Sequence, residues 1–285
     1  MLTIYGVYRS RASRNYWLAN ELNIAVKSVP VIQVYRLKDP NAADAPMHSR
    51  SAEFLKINPN GHVPAMDDDG VRLFESLAIN LYIAKKHGGP LAPKDLAEDA
   101  AMTMWSLWAV AEVENFALQV MSNRATKPEL AQEAVEKLRA PFAVLDGALA
   151  ATGYLVGGRF TVADINVAEV VRYAMAAPEL FSAAPHVKAW IDACHARPAF
   201  KAMMAKPAHI VITDYEMPKL NGLQLLQALR EYTPTSKVGV ILVTGRGDKT
   251  LIDQGRKLGL NNYLAKPFTP PQLRACIEAV TGKLT

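Results

Sequence analysis

The chain has only two cysteines in 285 residues, Cys194 and Cys276, and neither belongs to a CxxC pair. That argues against a disulfide framework and for a reducing, cytoplasmic setting. Its six histidines are scattered with no HxxxH or HExxH spacing, which argues against a zinc site. No run of 18 apolar residues occurs, and no basic segment followed by an apolar one opens the chain, so neither membrane spanning nor secretion is expected. A strong charge bias is missing too. The formal net charge is +5; residues 1–207 carry 22 Lys and Arg against 21 Asp and Glu, and residues 208–285 carry 10 against 6. This small excess is not interleaved with aromatics, so a nucleic-acid partner is not expected. Internal repeats and low-complexity segments are absent.

What is present is ample apolar material, half of all residues, in a length that suggests about two domains. Residues 1–87 alternate strand and helix signals. The stretch 26–34 is rich in β-branched residues, and 63–66 and 71–73 flank an Asp-Asp-Asp-Gly turn. Residues 76–86 place apolar side chains at helical spacing, and Gly88-Gly-Pro90 through Pro93 interrupts them as a linker. From 95 to 205 the signals are helical. The cluster Trp105, Leu107, Trp108, Val110 and Ala111 predicts a helix packed on two sides. Thr161-Val-Ala-Asp164 reads as a capping box opening an apolar helix. Further helices are expected over about 186–195 and from Pro198. Beyond 208 the pattern becomes strand, helix, strand, helix, strand, helix, which predicts a parallel sheet.

Three motifs carry a resemblance over 1–204. The first is Leu2-Thr-Ile-Tyr5 followed by Ser10-Arg-Ala-Ser13-Arg14. The second is Asn58-Pro-Asn-Gly61-His62-Val63-Pro64-Ala65 with Glu75-Ser76. The third is Gly157-Gly-Arg-Phe-Thr161-Val-Ala-Asp164. Together they resemble the glutathione transferases. The resemblance implies an α/β thioredoxin-like domain over 1–87 and an all-α domain over 88–205. It also implies a homodimer, and an enzyme that joins the glutathione thiolate to a small electrophile. In that family Val63 precedes a cis proline, Pro64, and offers its backbone to the cysteinyl part of glutathione. Glu75 and Ser76, at a helix start, hold the γ-glutamyl end: the carboxylate takes the ammonium, and the helix terminus suits the anion. His62 stands near the glycine carboxylate or is a solvated loop residue. The thiolate needs a hydrogen-bond donor. Ser10 holds the position that the resemblance assigns to it. Ser13, which reads as a helix cap, stays an alternative, as do Tyr8, Tyr5 and backbone donation. Trp105 and Trp108 line the electrophile pocket or serve packing.

Residues 206–285 resemble the second half of a response-regulator receiver, a flavodoxin-like fold. An apolar strand at 209–213 leads to Asp214, a second strand ends at Thr244, and Lys266-Pro267 follows a third. The resemblance assigns phosphoryl acceptance to Asp214 and contacts with phosphoryl oxygens to Thr244 and Lys266. The acidic pair that would hold Mg²⁺ should lie upstream, but Arg172-Tyr-Ala-Met175 stands there. The first two βα units are likewise missing. Mg²⁺ is therefore expected only if the segment works, and phosphoryl transfer to it is expected to be poor. The expectation is a glutathione transferase carrying a degenerate receiver fragment. Two alternatives are a non-enzymatic adaptor of phosphorelay type and a glutathione-dependent reductase or isomerase.

Overall fold

The computed structural model describes all residues except 38, 42–44, 206–209, 219, 232–237, 246–248 and 282–285. The chain divides into two compact units, Met1–Met204 and Ala205–Thr285.

The first unit opens with an α/β layer. Strands β1 (Leu2–Tyr5), β2 (Lys27–Val29), β3 (Ala65–Asp68) and β4 (Val71–Phe74) form one sheet in the order β2-β1-β3-β4. β1 runs parallel to β2 and antiparallel to β3, with Ile4 opposite Met66. Helix α1 (Ser13–Glu21), the short α2 (Ala52–Leu55) and α3 (Ser76–His87) accompany the sheet. The β-branched stretch 26–34 yields only three strand residues, because Pro30 cannot donate to a ladder. Beyond it, Ile32 makes a single bridge to His48, and Val34–Arg36 forms a tight 3₁₀ turn.

The helical layer comprises α4 (Leu96–Trp108), a π-helical turn (Ala109–Glu114), α5 (Asn115–Asn123) and α6 (Pro128–Leu149). It continues with α7 (Val162–Val171), α8 (Pro178–Ser182), α9 (Pro185–Ala196) and α10 (Pro198–Met204). Every residue of α7 is buried, so this helix is the centre of the layer. Its start carries the expected capping box: the Thr161 N–H donates to Asp164 Oδ2 at 2.8 Å. Asp164 Oδ1 also accepts from Trp190 Nε1 at 2.9 Å and the Leu155 N–H at 3.2 Å, which saturates a carboxylate that burial pushes toward protonation.

The expected linker at 88–93 does join α3 to α4, and it is not a free tether. Leu91 and Ala92 are buried, the Leu91 carbonyl accepts from the Val162 N–H at 3.1 Å, and Arg159 donates to the Pro90 and Ala92 carbonyls. Contrary to expectation, α4 is not covered on both sides: Met102 and Ser106 are buried, but Met104 and Leu107 are 53% and 66% exposed. One hydrophobic core runs from Leu2 to Met203 through both layers.

The second unit holds β5 (Ile210–Asp214), α11 (Gly222–Glu231), β6 (Gly239–Thr244), α12 (Lys249–Lys257), β7 (Asn262–Ala265) and α13 (Pro270–Thr281). The three strands are parallel in the order β5-β6-β7, with Asp214 opposite Val243 and Thr244 opposite Ala265. β6 is wholly buried; β5 lies at an edge among the described residues, with Ile212 43% exposed. Of the expected strand 209–213, His209 lies outside the described residues. Gly222 is needed where it stands, since a Cβ there would meet the Asp214 carbonyl at 2.6 Å.

Candidate active site

The turn from β1 into α1 brings Tyr8, Ser10, Arg11, Ser13 and Arg14 together. The Ser10 hydroxyl donates to the Val7 carbonyl at 2.7 Å and accepts from the Ala12 N–H at 3.1 Å. Ser13 was expected to cap α1 and does not: Ala12 is the N-cap, in helical geometry with no side-chain cap bond. The Ser13 hydroxyl instead donates to Glu169 of α7, and both residues are buried. Burial opposes ionisation of Glu169, but Arg172, 2.7 Å away, outweighs it and holds the carboxyl below its usual range. Tyr8 lies flat on Tyr16, with ring centroids 3.8 Å apart.

The loop before β3 is shaped by Asn58, whose Nδ2 donates to the His62 carbonyl at 2.7 Å. Gly61 adopts φ +61 with the Ser49 carbonyl 2.6 Å from where a Cβ would sit. The Val63–Pro64 bond is cis. On the far side of β4, Glu75 takes φ +69 as the N-cap of α3, with no side-chain cap bond, and stays exposed. Ser76 is buried. Its Oγ accepts from Arg14 Nη1 at 2.9 Å, and its carbonyl accepts from Asn15 Nδ2 at 2.8 Å. Helix α1 thereby fixes the first turn of α3.

These pieces surround a cavity of about 500 Å³, within the usual range of small-molecule sites. Of the residues expected to act, His62, Val63, Pro64, Glu75 and Ser76 line it. Ser10, Ser13 and Tyr8 do not; the neighbour of Ser10, Arg11, does. Trp105 and Trp108 do not line it either. They meet edge to face at 5.0 Å and pack against the hydrophobic core, so the aromatic electrophile pocket expected of them is not formed by this cavity.

Nothing in the sequence pointed to Glu114. It ends the π-helical turn, a local i→i+5 segment often found at functional sites, and belongs to no motif. Its Oε1 accepts from Arg11 Nε at 2.7 Å and from Arg14 Nη2 at 2.6 Å. Burial works against the charge, but the two guanidiniums prevail and lower the Glu114 pKa. Gln33, Val34, Tyr35, Ser49, Arg50, Asn58 and Gly61 also line the cavity; no site role was expected of them, although Asn58 and Gly61 stand in the second motif.

In the second unit two of the expected trio meet through their side chains, and the third is joined to them through the backbone. Lys266 pairs with Asp214, and the Lys266 N–H donates to the Thr244 carbonyl at 2.8 Å. The hydrogen bond from Lys266, more than any other contact, holds the Asp214 carboxyl below its usual range. Among the described residues no group of three His, Cys, Asp or Glu side chains is placed to hold a metal ion. Among them, too, no helix is long and apolar enough to cross a membrane.

Comparison with known proteins matches three families. Residues 1–85 match the glutathione S-transferase N-terminal domain, 111–198 its C-terminal domain, and 182–278 the response regulator receiver domain. The receiver match begins within helices of the first unit, ahead of the sheet at Ile210. A probable glutathione S-transferase GSTF1 of Oryza sativa is 34% identical over 179 residues, covering 56% of this chain and 80% of that protein. The solved theta class enzyme of Xanthomonas axonopodis, with glutathione bound, is 28% identical with a TM-score of 0.58 over 70% of this chain and 95% of its own. A probable chemotaxis protein CheY of Rhizobium etli is 46% identical over 84 residues, covering 30% of this chain but only 65% of its own length. With its thioredoxin-like sheet, its helical layer around α7 and these relatives, the chain belongs to the glutathione S-transferase family, fused to part of a response regulator receiver domain.

Proposed function

We propose that the chain joins glutathione to small electrophiles. The observation that carries this reading is the convergence of the Val63–Pro64 turn, Glu75 and Ser76 on one cavity, beside the turn that bears Ser10. The Val63 backbone takes the cysteinyl peptide, and Glu75 takes the γ-glutamyl ammonium. The first turn of α3, held by Arg14 and Asn15, takes the γ-glutamyl carboxylate on its N–H groups. His62 serves the glycine carboxylate. Gln33 lines the cavity and has a buried Oε1 without a hydrogen-bond partner, a vacancy that a peptide N–H of the bound tripeptide would satisfy. Ser10 turns its hydroxyl from Val7 to the thiolate, which lowers the thiol pKa. With an aryl halide, the thiolate sulfur forms the new bond to carbon. The halide leaves with the bonding pair, and the thiol proton passes to solvent.

A homodimer belongs to the same reading. The open apolar face of α4, with Met104 and Leu107, suits a second copy. Both cysteines are free, as a cytoplasmic protein would keep them. One observation favours a second role: the pairing of Lys266 with Asp214 beside Thr244 keeps a phosphoacceptor arrangement, as an adaptor of phosphorelay type would.

The test is turnover of glutathione with chlorodinitrobenzene by the whole chain, together with retention on immobilised glutathione. Retention with turnover is expected. Retention without turnover turns the reading toward a glutathione-dependent reductase or isomerase. Neither retention nor turnover leaves only the adaptor.

A further inference from the structure

Two of the residues lining the cavity are charged and paired with each other. Arg11 directly follows Ser10, and Glu114 comes from the helical layer. Glu114 Oε1 also holds Arg14, whose second terminal nitrogen is committed to Ser76. Two guanidiniums thus share one carboxylate, an excess of one positive charge within this trio that Glu75 offsets only through space, without a hydrogen bond. Arg14 is buried, so the excess is offered by Arg11, whose side chain is 45% exposed. Only its Nε enters the pair; Nη1 and Nη2 make no hydrogen bond among the described residues. Glu114 therefore fixes the orientation of the guanidinium and leaves its terminal fork open.

We infer that Arg11, held by Glu114, selects the second substrate, and that the preferred electrophiles carry a carboxylate near the reacting carbon. This rests on the transferase reading above. Val63, Glu75 and Ser76 are assigned to the glutathione peptide, which leaves Arg11 and Glu114 to face the partner of the thiolate. A planar fork with two free nitrogens matches a carboxylate in bidentate fashion. A neutral, apolar electrophile would strip water from Arg11 and Glu114 and return no hydrogen bond. Trp105 and Trp108 stand outside the cavity, and the one aromatic ring of its lining, Tyr35, is 78% exposed, so little apolar burial offsets that cost. Glu75, the other carboxylate of the lining, is taken by the γ-glutamyl ammonium.

The test compares chloronitrobenzoate with chlorodinitrobenzene as second substrate for the whole chain at saturating glutathione. Arg11→Met is expected to lower kcat/KM for the acid by at least about tenfold more than for the neutral compound, mainly through KM. Arg11→Lys, which keeps the charge but loses the fork, is expected to retain part of the preference. On the unaltered protein, the carboxyphenyl conjugate of glutathione should inhibit more strongly than the phenyl conjugate by about tenfold, with the difference shrinking as salt rises. Equal losses for both substrates, accompanied by a raised kinetic pKa of the thiol, would overturn the inference and give Arg11 to the thiolate. Equal inhibition by the two conjugates would overturn it even if Arg11→Met fails to fold. Turnover of the neutral compound without discrimination removes this inference and leaves the transferase reading standing. Absence of all turnover and inhibition removes both.

Discussion

Ser10 commits its hydroxyl to two backbone groups, the Val7 carbonyl and the Ala12 N–H. Donating to a thiolate means leaving Val7 and exchanging a neutral hydrogen bond for a charge-assisted one, roughly twice as strong. Ser10→Ala is therefore expected to lower turnover by about ten- to a thousandfold, the scale of one lost oxyanion donor, with the KM for glutathione little changed. Steady-state kinetics decide it: a silent Ser10→Ala beside a large loss in Tyr8→Phe would reassign the donor. Ser13→Ala is no such test, because it deprives the buried Glu169 of a partner and acts first on stability. In the proposed function Glu75 belongs to the binding side. Its backbone takes φ +69, and its carboxylate makes no capping bond that a ligand would have to displace. Glu75→Ala is expected to raise the KM for glutathione and to leave kcat largely intact, as removal of uniform binding does. An unchanged KM in a folded variant would count against the site.

At the scale of elements, the junction of α9 and α10 carries a pH dependence that no motif announces. His195 stacks on Phe200 with centroids 4.2 Å apart, and its Nε2 is buried without a hydrogen-bond partner. Burial, the largest influence, pushes its pKa down to about 4. In the unfolded chain a histidine titrates near about 6.5. Between those values the unfolded state binds the extra proton, so stability rises with pH across the window and falls as pH drops from about 6.5 toward about 4. Urea midpoints followed by tryptophan fluorescence report on the first unit, since all four tryptophans lie in it. The midpoint is expected to fall over that window in the unaltered chain and to fall less in His195→Gln. Identical slopes would refute the assignment. In α7, by contrast, the capping box is written in residues only three apart, Thr161 and Asp164, and could be read from them. The burial of His195 depends on Phe200 and the helices around it, and could not.

For the whole molecule, the two units differ in how much they bury. The described residues of the first share one large core across a sheet and nine helices, of which α7 is covered on all sides. The second has three strands with β5 at an edge, and three-stranded sheets depend on what packs against them. Amide exchange is expected to be faster in β5 than in β1 or β3. We also expect Asp214 to accept phosphoryl groups poorly, despite its contact with Lys266. A carboxylate and a phosphate donor are both anionic and need a metal ion between them, and the upstream acidic pair is missing from the sequence. Intact mass after incubation with acetyl phosphate and Mg²⁺ should show no stoichiometric adduct. An adduct that disappears in Asp214→Asn would mean that the missing half is supplied by another chain.

By itself the sequence determined the kinds of element, their order and the half of the cavity that the proposed function assigns to glutathione. Those features are local. Val63-Pro64 and Thr161 to Asp164 each lie within a few residues of the partner that gives them meaning, and Glu75-Ser76 marks a helix start, so a short pattern suffices even though Arg14 and Asn15 reach Ser76 from afar. The receiver trio was legible for a related reason, since each member sits at the end of a strand. Only the tertiary structure decided the other half of the cavity. It placed Trp105 and Trp108 outside it and brought Glu114 across 100 residues to Arg14. It also drew the hydroxyl of Ser13 away from capping and into the core. Ion pairs of that kind form between surfaces that meet only after both layers have folded, and no spacing along the chain encodes where those surfaces meet.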